Sequence, residues 1–150
     1  MTVLAADHVG FTVSDLDRGV AWYEQLLGAA PLHVERRYGH AYTGEMIGYP
    51  GAELSWAYFA LPGGGHLELI EYARPAPLPG APETRAIGNG HLCLLVADIH
   101  AEYERLAPVA SFRAPAPVRI TAGANEGGWA VYLRDPDGIT IELIQRRAAD

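Results

Sequence analysis

The feature that most constrains this chain is an internal repeat. Residues 91–100, HLCLLVADIH, align without gaps on residues 8–17, HVGFTVSDLD, sharing the histidine, a valine at the sixth place and an aspartate at the eighth. Near the end of each half, TIELIQR at 140–146 aligns on HLELIEY at 66–72, with Glu-Leu-Ile identical in both. The two matches come in the same order, each flanked by the same kinds of element, as expected of a duplicated supersecondary unit.

Each repeat reads as βαβββ. Asp7–Val13 alternates as a short strand, and Ser14 is the expected N-cap, with Asp15 and Asp17 suiting the positive end of a helix. That helix places Leu16, Val20, Tyr23 and Leu27 on one face and ends at Gly28. Strands are predicted at Pro31–Tyr38, Leu54–Leu61 and His66–Tyr72, the last preceded by the Pro62 to Gly65 turn. Residues 73–89 hold four prolines and two glycines and read as a linker. The second copy starts at about residue 90, buries Ile99, Tyr103 and Leu106 on its helix, and stops it at Ala107-Pro108. Its last strand follows the turn Asp135-Pro136-Asp137-Gly138. Module one therefore spans about 7–72 and module two about 90–146 of a single domain covering 1–150.

Composition excludes several chemistries. All 11 basic residues among the 150 are arginine, so there is no ε-amine for a Schiff base, a pyridoxal phosphate anchor or a P-loop. A net charge of −7 argues against nucleic acid as a partner. One cysteine, Cys93, allows no internal disulfide and no Cys-rich zinc site, and is expected as a small core residue. No apolar run is long enough for a membrane span, and Met1–Asp7 does not resemble a secretory signal, so a cytoplasmic location is expected. None of the three serines lies in a G-x-S-x-G elbow. His66-Leu67-Glu68 mimics a deaminase motif but lacks its cysteine pair.

What remains is one histidine and one carboxylate at equivalent places in each copy: His8 with Glu68, and His91 with Glu142. Alternation puts Glu68 on the side of Ile70, and Glu142 on that of Thr140 and Ile144. A carboxylate among such neighbours needs a positive partner, and two histidines with two glutamates could hold a divalent cation while leaving positions for substrate oxygens. Mixed imidazole and carboxylate donors suit Zn, Ni, Co, Mn, Fe or Mg. His66 is a possible rival ligand.

The segments DHVGFTVSDLDRGVAWYEQLLG, the PGG turn before LELIEY, GHLCLLVADI and YLRDPDGITIELIQ resemble the vicinal oxygen chelate superfamily, which includes glyoxalase I, methylmalonyl-CoA epimerase, extradiol dioxygenases and antibiotic resistance proteins. The resemblance runs from Asp7 to Gln145. It implies an α+β fold in which two paired βαβββ modules form a cupped, partly open mixed β-barrel, with a metal held by His8, Glu68, His91 and Glu142. Ring-cleaving relatives typically lack a ligand at the place of Glu68. The filled position resembles the glyoxalase and epimerase branches, where the metal stabilises an enediolate made by removing a proton beside a carbonyl.

The first expectation is thus a metal-dependent isomerase or epimerase acting on a cyclitol-like or sugar-like ketone or an acyl thioester. Glu68 or Glu142 would take the proton, with Glu45 or Glu53 as a second carboxylate. The alternatives are a glyoxalase-like lyase, a metal-free module sequestering an aromatic or drug-like ligand, and, last, an extradiol-type dioxygenase. Substrate contacts are expected from the least modular stretch, at Arg37, Tyr38, His40 and Tyr42 with Glu45, and from the strand aromatics Trp56, Tyr58, Trp129 and Tyr132. The partner is a small molecule, and a homodimer is expected, since in this superfamily the cup forms within one chain or between exchanged modules.

Overall fold

A computed structural model describes residues 2–80 and 83–148. The chain divides between Pro79 and Gly80 into two compact units.

Unit 1 runs β1 (His8–Thr12), α1 (Leu16–Leu27), β2 (His33–Tyr38), α2 (Ala41–Ile47), β3 (Glu53–Ala60) and β4 (His66–Arg74). Its sheet has the order β1-β4-β3-β2, with β1 parallel to β4 and the other pairs antiparallel. Period-two alternation sorts the strands cleanly. Ala57, Phe59, Leu67 and Leu69 are almost wholly buried, on the face that packs against Leu16, Trp22 and Tyr23 of α1. Burying each large apolar side chain contributes about 1.5–3 kcal/mol, which holds the helix to that face and leaves the other free.

The start of α1 differs by one residue from expectation. Asp15, not Ser14, is the N-cap, its carboxylate accepting from Arg18 N at 2.9 Å. Ser14 instead accepts from the Arg18 guanidinium. Gly28 closes the helix at φ 67°, as its position implied. The buried face also rotates slightly, taking in Gly19, Trp22 and Leu26 while Val20 and Leu27 are only half-buried.

Helix α2 falls in a stretch that reads as irregular. His40, its N-cap, makes no side-chain capping bond, so no start signal exists, and seven residues are too few to display periodicity. Gly44 is required inside it, because a Cβ there would lie 2.6 Å from Tyr49 O.

Unit 2 runs β5 (Leu92–Leu95), α3 (Ile99–Leu106), β6 (Ser111–Phe112), β7 (Val118–Arg119), β8 (Trp129–Arg134) and β9 (Thr140–Gln145). Its sheet has the order β5-β9-β8-β6, with β7 also paired to β8, and β5 is parallel to β9 as β1 is to β4. Leu133, Ile141, Leu143, Ile99 and Leu106 form its core.

The repeat extends to details of hydrogen bonding. Asp98 caps α3 as Asp15 caps α1. Leu16 N donates to Glu71 Oε2 at 2.9 Å and Ile99 N to Gln145 Oε1 at 2.8 Å, equivalent bonds from equivalent positions. Among the described residues no helix is long and apolar enough to cross a membrane.

Candidate metal and proton-transfer site

In each unit the face turned away from the helix carries a glutamate and a tyrosine at equivalent places, met by a histidine. In unit 1, register places Gly10, Glu68 and Tyr58 side by side across β1, β4 and β3. In unit 2, Cys93, Glu142 and Tyr132 stand side by side across β5, β9 and β8. A histidine one strand over meets each glutamate: His8 Nε2 lies 3.5 Å from Glu68 Oε2, and His91 Nε2 lies 2.9 Å from Glu142 Oε2. With side chains only 14% and 16% exposed, both carboxylates are largely desolvated, so the imidazole is a required partner.

The tyrosines complete each set. Burial, followed by a hydrogen bond to Glu68, pushes the Tyr58 phenol up to about 12. Tyr132 is raised by burial and by Glu142, and its hydroxyl lies 3.4 Å from His91 Nε2. Both phenols therefore stay protonated and are available as donors. Their equivalence was readable, because each tyrosine stands ten residues before its glutamate.

The two sets differ in their small residue. A Cβ on Gly10 would sit 3.5 Å from Glu68 Oε2, whereas in unit 2 Cys93 fills that place. Cys93 is exposed rather than a core residue, because β5 is an edge strand and this face has no helix over it. Burial of its sulfur and the neighbouring Glu142 raise the thiol to about 11. Outside the ring contacts, His8 Nδ1 bonds Asp7 Oδ1 at 2.7 Å, leaving Nε2 toward Glu68. His66 pairs directly with His8 across the strands, at the strand end.

The donor chemistry suits a divalent ion, since within each unit one imidazole nitrogen and one carboxylate oxygen approach each other. Convergence is pairwise: no group of three or more metal-ligating side chains occurs among the described residues.

The other predicted residues scatter. Trp56 lies two residues from Tyr58 on the same face, and Tyr38 packs edge-on against it at 4.6 Å, stacking with His40 at 4.4 Å and sharing a hydrogen bond with Tyr42 at 2.8 Å. These four form one aromatic cluster beside Tyr58. Arg37, at φ 52°, is turned instead to Glu53, which also binds Arg74. Glu53 is thereby committed to two guanidiniums and stands five residues along β3 from Tyr58, about 16 Å. Glu45 lies on the exposed side of α2. Trp129 is three residues from Tyr132, an odd number, and so faces the other way, against His100 of α3 at 4.8 Å.

The chain belongs to the glyoxalase/bleomycin resistance protein/dioxygenase superfamily, whose model matches residues 5–143. Among characterised relatives, it is 33% identical over 144 residues to a 2-epi-5-epi-valiolone epimerase of an Actinomyces species, covering 94% of this chain and 79% of that protein. It is 27% identical to a probable lactoylglutathione lyase of Vibrio cholerae, covering 95% and 91% respectively. The fold matches a glyoxalase family protein from Bacillus cereus with a TM-score of 0.84 at 20% identity, covering 99% of this chain and 97% of that one.

Proposed function

We propose that this protein is a divalent-metal-dependent isomerase that epimerises a cyclic polyhydroxy ketone at the carbon beside its carbonyl. The observation that carries the reading is the repeated histidine, glutamate and tyrosine set on the helix-free face of each unit. His8, Glu68, His91 and Glu142 are the proposed donors, and a divalent ion bound to them would polarise the ketone oxygen and acidify the neighbouring C–H.

Inversion requires a proton to leave one face of a carbon and return to the other, and the duplication supplies two carboxylates for this. Glu68 and Glu142 are the proton carriers in this reading. Glu53 drops out because its two arginines keep it occupied. Tyr58 and Tyr132 stand beside Glu68 and Glu142 as protonated phenols, donors available to a carboxylate or to a substrate oxygen. The aromatic cluster of Tyr38, His40, Tyr42 and Trp56 offers an apolar surface for a ring and hydroxyls for its polar edge. The similarity to a valiolone epimerase over nearly the whole chain supports the choice of a cyclitol-like ketone. A homodimer is part of the proposal, and light scattering should give twice the chain mass.

The test is incubation of metal-loaded protein in D₂O with cyclic α-hydroxyketones. Deuterium should enter the α carbon, and Glu68→Gln and Glu142→Gln should each slow exchange by about 10²-fold or more. Exchange that survives both substitutions would refute the assignment. The similarity to lactoylglutathione lyases supports a second reading, in which a thiol hemiacetal is isomerised to a thioester. Thioester absorbance from methylglyoxal and glutathione, without exchange on cyclic ketones, would favour it.

A further inference from the structure

On the helix-free face of unit 2, the row Cys93, Glu142, Tyr132 continues to Arg113, whose N–H donates to Tyr132 O at 2.8 Å. Ser111 pairs with Arg134, so alternation puts Arg113 and Arg134 on the Tyr132 side as diagonal neighbours. Both guanidiniums turn onto one carboxylate from the proline-rich linker. Arg113 Nη2 donates to Glu83 Oε2 at 2.9 Å, and Arg134 Nη2 to Glu83 Oε1 at 2.8 Å. Each oxygen thus takes one N–H and keeps a lone pair, and the Glu83 side chain is 51% exposed. Beside this group, Arg134 Nε and Thr140 Oγ1, on residues paired across the strands, are buried with no hydrogen-bond partner among the described residues. The backbone of Arg113 is two strand spacings, about 10 Å, from that of Glu142.

The chemistry of this group selects its ligand. A lone anion fits poorly, because Glu83 already neutralises one arginine and turns its own lone pairs outward. An apolar group would leave the remaining lone pairs of Glu83 and the remaining N–H groups of the two arginines without partners. Vicinal hydroxyls both donate and accept, and so satisfy carboxylate and guanidinium together.

We propose that Glu83, Arg113 and Arg134 form a specificity subsite for the ring hydroxyls of a polyhydroxylated substrate whose reacting carbon lies at the His91–Glu142 pair. The proposal rests on the isomerase reading for the reaction, but its binding chemistry stands by itself. Unit 1 has no counterpart: His33 is opposite Tyr58 and Ala60 takes the place of Arg134. Recognition by a carboxylate held between two guanidiniums therefore belongs to one unit and gives the substrate a direction.

myo-Inositol, which has the hydroxyls but no carbonyl, is a non-reacting probe. Titrated into ¹⁵N-labelled protein, it should shift the Nε–H signals of Arg113 and Arg134. Glu83→Gln and Arg113→Lys, each verified as folded by circular dichroism, should weaken its binding tenfold or more. Absence of any arginine shift, or equal affinity in both variants, overturns the subsite. Inositol binding that follows this pattern in a protein that exchanges no α proton of 2-hydroxycyclohexanone supports the subsite while refuting the isomerase reading.

Discussion

At Glu83, hydrogen bonds from Arg113 and Arg134 hold the carboxyl ionised down to about 2, against an ordinary 4.5. The folded state therefore binds a proton here less readily than the unfolded chain. The stabilisation is present above about pH 4.5 and disappears as pH falls toward 2. Urea unfolding of wild type and Glu83→Gln should show a stability gap that is level at neutral pH and closes through this window. Because the group is exposed, added salt should shrink the gap as well. A gap independent of pH would mean that the ion pairs do not form in solution. Glu83 was not legible in the sequence, since a proline-rich linker has no period from which a side chain's neighbours follow. His8, Glu68, His91 and Glu142 were legible, because strand alternation and the repeat together assign each a face. The same parity rule, applied to Trp129 and Tyr132, separates two aromatics that composition alone would group.

Helix starts carry the repeat at the level of elements. Asp15 and Asp98 each accept backbone N–H groups from the first turn, and Asp98 accepts two, from His100 and Ala101. Replacing either by alanine should cost about 1 kcal/mol, seen as a lower midpoint in thermal unfolding, whereas Ser14→Ala should change little. An equal loss at Ser14 would return the cap to the earlier residue. Strands β1, β4, β5 and β9 and helices α1 and α3 could be read from pattern because packing against a core imposes a period on them. Helix α2 could not. Its length of about two turns, its uncapped start and the glycines within it and at its end give no periodic trace, and its existence depends on Gly44 fitting under Tyr49 O.

For the whole molecule, the absence of lysine has a chemical meaning. No side chain can form an iminium with a ketone, so its activation by side chains passes to hydrogen bonds or a cation. Chelator-treated protein should accordingly gain stability on addition of a divalent metal, by about 2.7 kcal/mol at a hundredfold excess over Kd. The gain should vanish in His8→Ala and in Glu142→Gln. Metal that stabilises those variants as well as wild type would be bound elsewhere. At equivalent places the helix-start N–H groups of Leu16 and Ile99 donate to Glu71 and to Gln145. Each half of the chain records a substitution history for the other: a carboxylate and an amide have both survived where the duty is only to accept an N–H. Where the duty is proposed to be proton transfer, at residues 68 and 142, both halves retain glutamate. A single gene thus contains its own comparison of what a position tolerates, and saturation mutagenesis of either half can be checked against the residue already present in its twin.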